Sequence, residues 1–417
     1  LRILHTSDWH LGRSLYGRKR LEEFSAFLDW LIQTIQSERI DILLVAGDVF
    51  DTIAPGNKVQ ELYYSFLTKM VVSCCQHVVI IAGNHDSASF LEAPKEILQC
   101  LHIHVVGSVP TDPQDEVLLL EDRQGQPLAV ICAVPYLHDR DVRLSETTDS
   151  IDGKTEKLVD GICQHYAGIG AIAERKCQET GGRVPIIGMG HLFTTGGKTT
   201  EGDGVRDLYV GSLAQVGQEA FPSCFDYLAL GHLHVPQKVA GQEHLRYCGS
   251  PLPMGFGEAR QQKEVVVVEF STNRASCVVH PLQVPCFQKL EQLEGDLTAI
   301  LSRLSWLKEH GEHIWLEIEY TGEALVENLR ELLEQAVEGT QLEILRIKNN
   351  RIVEMALHRL DEEDLLENLD VKEVFQRCLD YQRIEEADRP PLISAYDEIV
   401  FAMHGQNGDQ PPKEDRL

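Results

Sequence analysis

The chain reads as an α/β protein carrying a small α+β module and C-terminal helices, and three observations support that reading. Short apolar runs of strand length recur through the first 285 residues: Arg2 to Ser7, Asp41 to Ala46, Val78 to Ala82, Val184 to Met189 and Tyr227 to Leu230. Stretches with helical spacing separate the first three of these runs. Around Pro281 to Pro285 the pattern changes, and after Arg351 it turns helical and strongly acidic.

Each element follows from local residue order. Phe24, Phe27, Leu28, Leu31, Ile32 and Ile35 recur at helical spacing and predict a helix over Phe24 to Arg39; Lys58 to Val72 repeats the pattern. Strand, helix, strand, helix, strand implies a parallel unit with right-handed crossovers. Glu116 to Val134 reads as a hairpin turning at Gln124-Gly125-Gln126-Pro127, and strands follow at Gln237 to Val239, Leu245 to Cys248 and Val265 to Phe270. From Phe287 to Ile347 the order is strand, helix, strand, helix, strand, with Ile314 to Tyr320 in the middle. Beyond it, Leu365, Leu366, Leu369, Val374, Phe375 and Leu379 form an apolar stripe, and Pro390-Pro391 precedes a second helix over Leu392 to Met403. The expected division is 1–285 for the principal domain, 286–351 for the α+β module, 352–404 for the helical segment and 405–417 for a polar, Pro-rich tail.

Composition narrows the class. No run of eighteen apolar residues occurs, so no membrane span is expected, and the first strand begins without a signal-like segment. Eleven cysteines, an odd number without a Cys-x-x-Cys pair, fit reduced thiols of a cytoplasmic protein better than a disulfide framework. The net charge of −27 is uneven: residues 286–417 hold 30 acidic side chains against 14 Lys and Arg, residues 1–285 hold 35 against 24. That balance argues against polyanion binding over the whole surface but leaves a local groove open.

The chemistry lies where the five principal runs end. Asp8-x-His10, Gly47-Asp48, Gly83-Asn84-His85-Asp86, Gly190-His191 and Gly231-His232-x-His234 follow them in order. Open α/β sheets place ligands at the C-terminal ends of their strands, and glycine lets the backbone turn there. Asp8 and His10, two apart, can face one side of an extended loop. Asp48 is the candidate bridging carboxylate, having two oxygens; Asn84 offers a neutral oxygen; His191, His232 and His234 complete about four ligands around each of two cations. Oxygen and imidazole donors without thiolate favour Mn²⁺, Fe²⁺ or Mg²⁺ over structural Zn²⁺.

These blocks resemble the calcineurin-type metallophosphoesterases. Within that family the longer stretches Leu4 to Gly12, Val45 to Thr52, Ala82 to Ser87, Val205 to Gly211, Leu230 to His234 and Tyr247 to Pro251 are similar to its DNA-nuclease branch. The resemblance implies a four-layer α-β-β-α sandwich, two divalent cations of which Mn²⁺ is the expected pair, and a nuclease acting on DNA. Double-strand exonuclease action and endonuclease action on single strands and hairpins are implied, as are a coiled-coil ATPase partner and paired nuclease subunits in a heterotetramer. His85 matches a histidine that acts on the leaving group; the alternative is a loop-capping role. At Asp51, where some relatives have histidine, a carboxylate able to accept a hydrogen bond from His85 is expected, or again a loop cap. Arg13, Tyr16, Arg18, Lys19 and the neighbouring Arg20 read as a DNA-backbone contact or as a solvated loop. The stripe from Leu365 to Leu379 is expected to dock the ATPase or to pack on its own body. Two other functions compete: a small-molecule phosphodiesterase, which shares every ligand but needs no added module, and a binding scaffold, which should have lost ligands, whereas none is missing here.

Overall fold

A computed structural model describes residues 1–142, 151–181, 184–197, 216–271, 277–322, 324, 326 and 328–349, with isolated positions between 375 and 396. Strand β1 (Arg2–Thr6) leads into a short hairpin of β2 (Ser14–Leu15) and β3 (Arg18–Lys19), then helix α1 (Leu21–Ser37), β4 (Ile42–Ala46), α2 (Asn57–Val71) and β5 (His77–Ile81). Two single-turn helices, α3 (Ala88–Glu92) and α4 (Lys95–Gln99), precede β6 (Ile103–Val106). The hairpin of β7 (Val117–Glu121) and β8 (Pro127–Ala133) continues through α5 (Asp139–Val142) and the long α6 (Ile151–Glu179) to β9 (Ile186–His191). Strands β10 (Tyr227–Gly231), β11 (Gln237–Lys238), β12 (Leu245–Tyr247), β13 (Glu264–Phe270) and β14 (Cys277–Gln283) follow. The last described elements are β15 (Lys289–Gly295), α7 (Leu297–His310), β16 (Ile314–Tyr320), α8 (Leu329–Val337) and β17 (Leu342–Lys348).

Two six-stranded sheets result, ordered β14-β13-β1-β4-β5-β6 and β11-β12-β10-β9-β8-β7, beside a three-stranded sheet β15-β16-β17. The expected parallel unit is present: β1 pairs with β4 and β4 with β5, all parallel, with Ile3 opposite Ile42 and Val45 opposite Ile80. Strand side chains alternate between faces, and the core divides accordingly. Leu43 and Val45 of β4 meet Phe27 and Leu31 of α1 and Phe66 of α2. Ile42, Leu44 and Ala46 face the second sheet through Ile187, Met189 and Ala229. On that sheet's far side, Val130, Ile186 and Leu228 pack with Leu158, Ile162, Tyr166 and Ile169 of α6. The principal domain is therefore α-β-β-α, and both sheets are buried on both faces, which is why their strands read as unbroken apolar runs.

Several elements go beyond the sequence expectations: β6, β14, α6 and the β2–β3 hairpin. By spatial proximity the chain forms two compact units, one of residues 1–293, 301–318 and 328–346, the other of 294–300, 319–327 and 347–417. All the residues of the site described below belong to the first.

Candidate metal centre

The two-residue spacing of Asp8 and His10 works through a tight turn instead of an extended loop. Both residues adopt left-handed backbone, φ 51° and 46°, a conformation that persists only where the surroundings over-determine it. Trp9 supplies the anchor. Its indole is fully buried among α1 and α2, edge-on to Phe27 and Phe66, and its Nε1–H donates to Thr6 Oγ1 at 2.9 Å. Asp8 N–H donates to the Gly47 carbonyl at 3.0 Å and His10 N–H to that of Asp48 at 2.9 Å, so the loops after β1 and β4 are joined main chain to main chain.

The loop after β5 is fastened to the same place by Asp86. Its carboxylate accepts from the main-chain N–H of Val49, Phe50 and Gly83 at 3.1, 2.9 and 2.9 Å. Burial and the neighbouring Asp48 charge push Asp86 up to about 7. Asp48 Oδ1 accepts from His85 N–H at 2.9 Å, leaving Oδ2 toward the histidines. Gly47, at φ 87°, does turn the chain as expected. Gly83 and Gly231 serve closeness instead: a Cβ would lie 2.2 Å from Asp48 Oδ1 at the first and 1.9 Å from the Ala46 carbonyl at the second. A side chain at either position would push the site loops apart.

The second sheet brings the remaining imidazoles. His191 ends β9 and donates its Nδ1–H to the Ala46 carbonyl at 2.9 Å, which leaves Nε2 with a free lone pair in the neutral ring. That Nε2 lies 3.1 Å from Asn84 Oδ1 and 3.3 Å from Asp48 Oδ2. His232 Nδ1 approaches the same Asn84 oxygen at 3.1 Å, and His10 Nε2 faces His234 Nε2 at 3.1 Å. Ligand atoms of Asp8, His10 and His234 form one close group and those of Asp8, Asp48 and His191 another. Asp48 Oδ2, 3.5 Å from His10 Nε2 and 3.3 Å from His191 Nε2, stands between them.

Two carboxylates, an amide oxygen and four imidazoles make up a donor set of the kind that binds divalent metals. The charges there act strongly on one another. Burial lowers His10 although Asp51 and Asp48 oppose it. Burial also acts on His191, but Asp48 overcomes it and holds that ring up to about 9. His232, buried beside His191, falls to about 3. Burial works against the charge on Asp48, yet His191 and His10 keep its carboxyl well below the ordinary range.

His85 is half-buried at the rim, its ring 4.8 Å from that of His10 and edge-on to it. Its Nδ1 lies 3.2 Å from the Asp51 carbonyl oxygen. The expected side-chain acceptor is thus corrected to the main chain. The Asp51 carboxylate instead lies 3.4 Å from His10 Nδ1 and 3.3 Å from the Arg13 guanidinium, because the loop after β4 turns the side chain back toward the first loop.

The basic loop beyond His10 is the β2–β3 hairpin, and most of it is engaged within the chain. Tyr16 stacks on Phe256 and accepts a hydrogen bond from Arg346 at 2.7 Å; Arg18 pairs with Glu343; Arg20 is buried against Glu23. Lys19 is exposed. Of the apolar stripe, Leu365, Leu366, Leu369 and Val374 lie outside the described residues, as does Val205 to Gly211. Phe375 stacks on Tyr396 at 4.0 Å and Leu379 is buried, so both side chains already have surroundings of their own. Trp9 and Glu258, which lies 3.5 Å from His234, are site-building residues outside the strand-end pattern, while Gly83 and Asp86 stood within it without the close-approach and loop-fastening roles found here.

Facing sheets with imidazole and carboxylate at one edge define a calcineurin-like phosphoesterase, and comparison with known proteins agrees. The family model described as calcineurin-like phosphoesterase matches residues 1–236, and one described as type 5 capsule protein repressor C-terminal domain matches residues 286–383. The SbcD subunit of the SbcCD nuclease of Escherichia coli K12 is 35% identical over 410 residues, covering 98% of this chain and all of that protein. The SbcD subunits of Rhodobacter capsulatus and Bacillus subtilis are 32% and 35% identical, covering 82% and 64% of the chain and 86% and 66% of their own lengths. The chain belongs to the calcineurin-like phosphoesterases and, within them, to the SbcD family of nuclease subunits.

Proposed function

We propose that this SbcD-family nuclease is a Mn²⁺-dependent enzyme in which Asp8, His10, Asp48, Asn84, His191, His232 and His234 hold two divalent cations. The nuclease class follows from family membership; the ligand set, the number of ions and the metal are our reading. The observation that carries it is the linked cluster in which Asn84 Oδ1 lies 3.1 Å from both His191 Nε2 and His232 Nδ1, while Asp48 Oδ2 lies 3.3 Å from His191 Nε2 and 3.5 Å from His10 Nε2. Bound there, two cations supply an activated water and neutralise charge growing on the phosphoryl oxygens.

The side chains do the rest. Asp48 Oδ2, between His10 and His191, would be shared by both positions, and the loop fastening by Asp86 holds Asp48 in place. His85 donates Nδ1–H to the Asp51 carbonyl, which fixes the ring so that Nε2 can hand a proton to the departing sugar oxygen. Asp51 orients His10 and Arg13. The substrate in this reading is DNA, cut from double-strand ends and in single strands and hairpins, in repair, recombination and the removal of palindromic structures. The relatives' name implies a partner, and we assign an SbcC-like coiled-coil ATPase that gates access, with two nuclease subunits in the assembly. Segment 352–404 is its docking element in this reading, and 286–351 a capping module. The ten cysteines among the described residues are unbridged, which is compatible with the reducing cytoplasm as its compartment.

The decisive experiment is cleavage of end-labelled hairpin DNA with Mn²⁺ by wild type and His85→Gln. We expect cleavage by the wild type and a loss of about 10² to 10⁴-fold in the variant, the usual worth of a general acid, with Mn²⁺ binding retained. Inert hairpin DNA together with rapid hydrolysis of a small phosphodiester by the wild type would move the substrate to the small-molecule class.

A further inference from the structure

Glu258 sits in a 3-10 turn, Phe256–Glu258, far along the chain from every strand-end motif, and its carboxylate is fully buried. Oε2 is well satisfied: it accepts from Lys263 Nζ and from Met254 N–H at 3.0 Å. Oε1 is not. It lies 3.5 Å from His234 Nδ1 and has no hydrogen bond of ordinary geometry. Lys263, also buried, donates to the His234 carbonyl and to Ser250 Oγ, each at 3.1 Å. One ion pair therefore holds His234 twice, by its ring and by its main chain.

We propose that Glu258 is a positioning residue for the metal centre, accepting the Nδ1 proton of His234 so that the Nε2 lone pair is turned inward. This rests on the reading of His234 as a ligand. The geometry supports it from the other side, since His234 Nε2 faces His10 Nε2 at 3.1 Å while Nδ1 faces Glu258. Two other candidate ligand rings have a nitrogen committed in the same way. His191 uses the Ala46 carbonyl, and His10 Nδ1 faces the Asp51 carboxylate. Outer partners of this kind fix the tautomer and orientation of a ligating imidazole and raise its basicity. A buried ion pair is by itself weak support for stability, because desolvation cancels much of the attraction. What this pair does provide is a fixed direction for one ring. Lys263 keeps the carboxylate charged in a place where an isolated charge would be costly.

The test is Mn²⁺ titration of the full chain by calorimetry, on wild type, Glu258→Gln and the double variant Glu258→Gln/Lys263→Met, with denaturation of each protein in chelator alongside. The double variant removes both charges and leaves no orphan, so it keeps the test open should the single variant fold poorly. We expect one of two binding events to weaken about 10 to 100-fold in both variants, the usual effect of deleting an outer partner, while metal-free stability of the double variant stays near wild type. Wild-type Mn²⁺ affinity in a folded variant overturns the role of Glu258 alone. A wild type that binds no Mn²⁺ overturns the metal reading beneath it, and this proposal too.

Discussion

His5 has no place in the metal cluster, yet it ties the two sheets together directly beneath it. Its Nε2–H donates to the Leu230 carbonyl at 3.2 Å and its Nδ1 accepts from the Tyr227 hydroxyl at 3.0 Å, which joins β1 to β10 just before Asp8 and His232. Burial brings the ring down to about 3 from its ordinary 6.5. The sign follows directly: below pH 6.5 the unfolded chain takes a proton at this residue and the folded chain does not, so the stability His5 contributes falls as pH drops from 6.5 toward 3. Chemical denaturation between pH 7 and 4 should show wild type losing about 1.4 kcal/mol more per pH unit than His5→Gln, the worth of one proton. Equal slopes would mean that the ring is charged in the folded state. The candidate ligands were legible in the sequence because each ends an apolar strand. His5, Trp9, Asp86 and Glu258 were not, since their roles come from neighbours between roughly 20 and 220 positions away, which spacing along one chain cannot reveal.

At the scale of elements the same contrast holds. Strands β1, β4, β5, β9 and β10 announce themselves because burial on both faces demands continuous apolar sequence. Strand β14 does not: it is an edge strand with Pro281 inside it and largely open side chains, a pattern that edges tolerate. Helix α6 buries Leu158, Ile162, Tyr166, Ile169, Ala173 and Cys177 at helical spacing, but polar residues dilute the stripe over 29 residues. The β2–β3 hairpin is too short to carry a period at all, and its meaning lies in what it meets. Arg346 of β17 donates to the Tyr16 hydroxyl, lies 4.9 Å from the Tyr16 ring centre and pairs with Glu317 of β16 at 3.2 Å. The hairpin directly after His10 is thereby held by the small sheet. A double-mutant cycle on Tyr16→Leu and Arg346→Met should give a coupling of about 0.5–1 kcal/mol, the worth of a partly exposed cation–π pair. Zero coupling would show that hairpin and sheet are independent, and Tyr16 would then be free for a ligand.

The whole molecule carries a net charge of −27, and part of that excess is buried where it costs most. Asp8 and Asp48 are essentially inaccessible, each within a close group with histidine, and the loops bearing them are bent into left-handed backbone at Asp8, His10, Asp48 and His232. Backbone strain and acidic charge are concentrated at one edge of the sandwich, and a divalent cation that binds only the folded arrangement would stabilise it. Metal should therefore act on the stability of the entire first unit. At a free Mn²⁺ concentration of about one hundred times the dissociation constant, each site should add roughly 2.7 kcal/mol. In calorimetry or dye-monitored melting this should appear as a rise of about 4 °C for one saturated site over protein kept in chelator. Asp48→Asn should melt lower than wild type in chelator, because His191 and His10 favour the charged carboxylate in the folded chain, and should gain less from Mn²⁺ if Asp48 is the shared ligand we propose. A variant that stays fully responsive to metal would assign Asp48 to holding His85 N–H and not to spanning two cations.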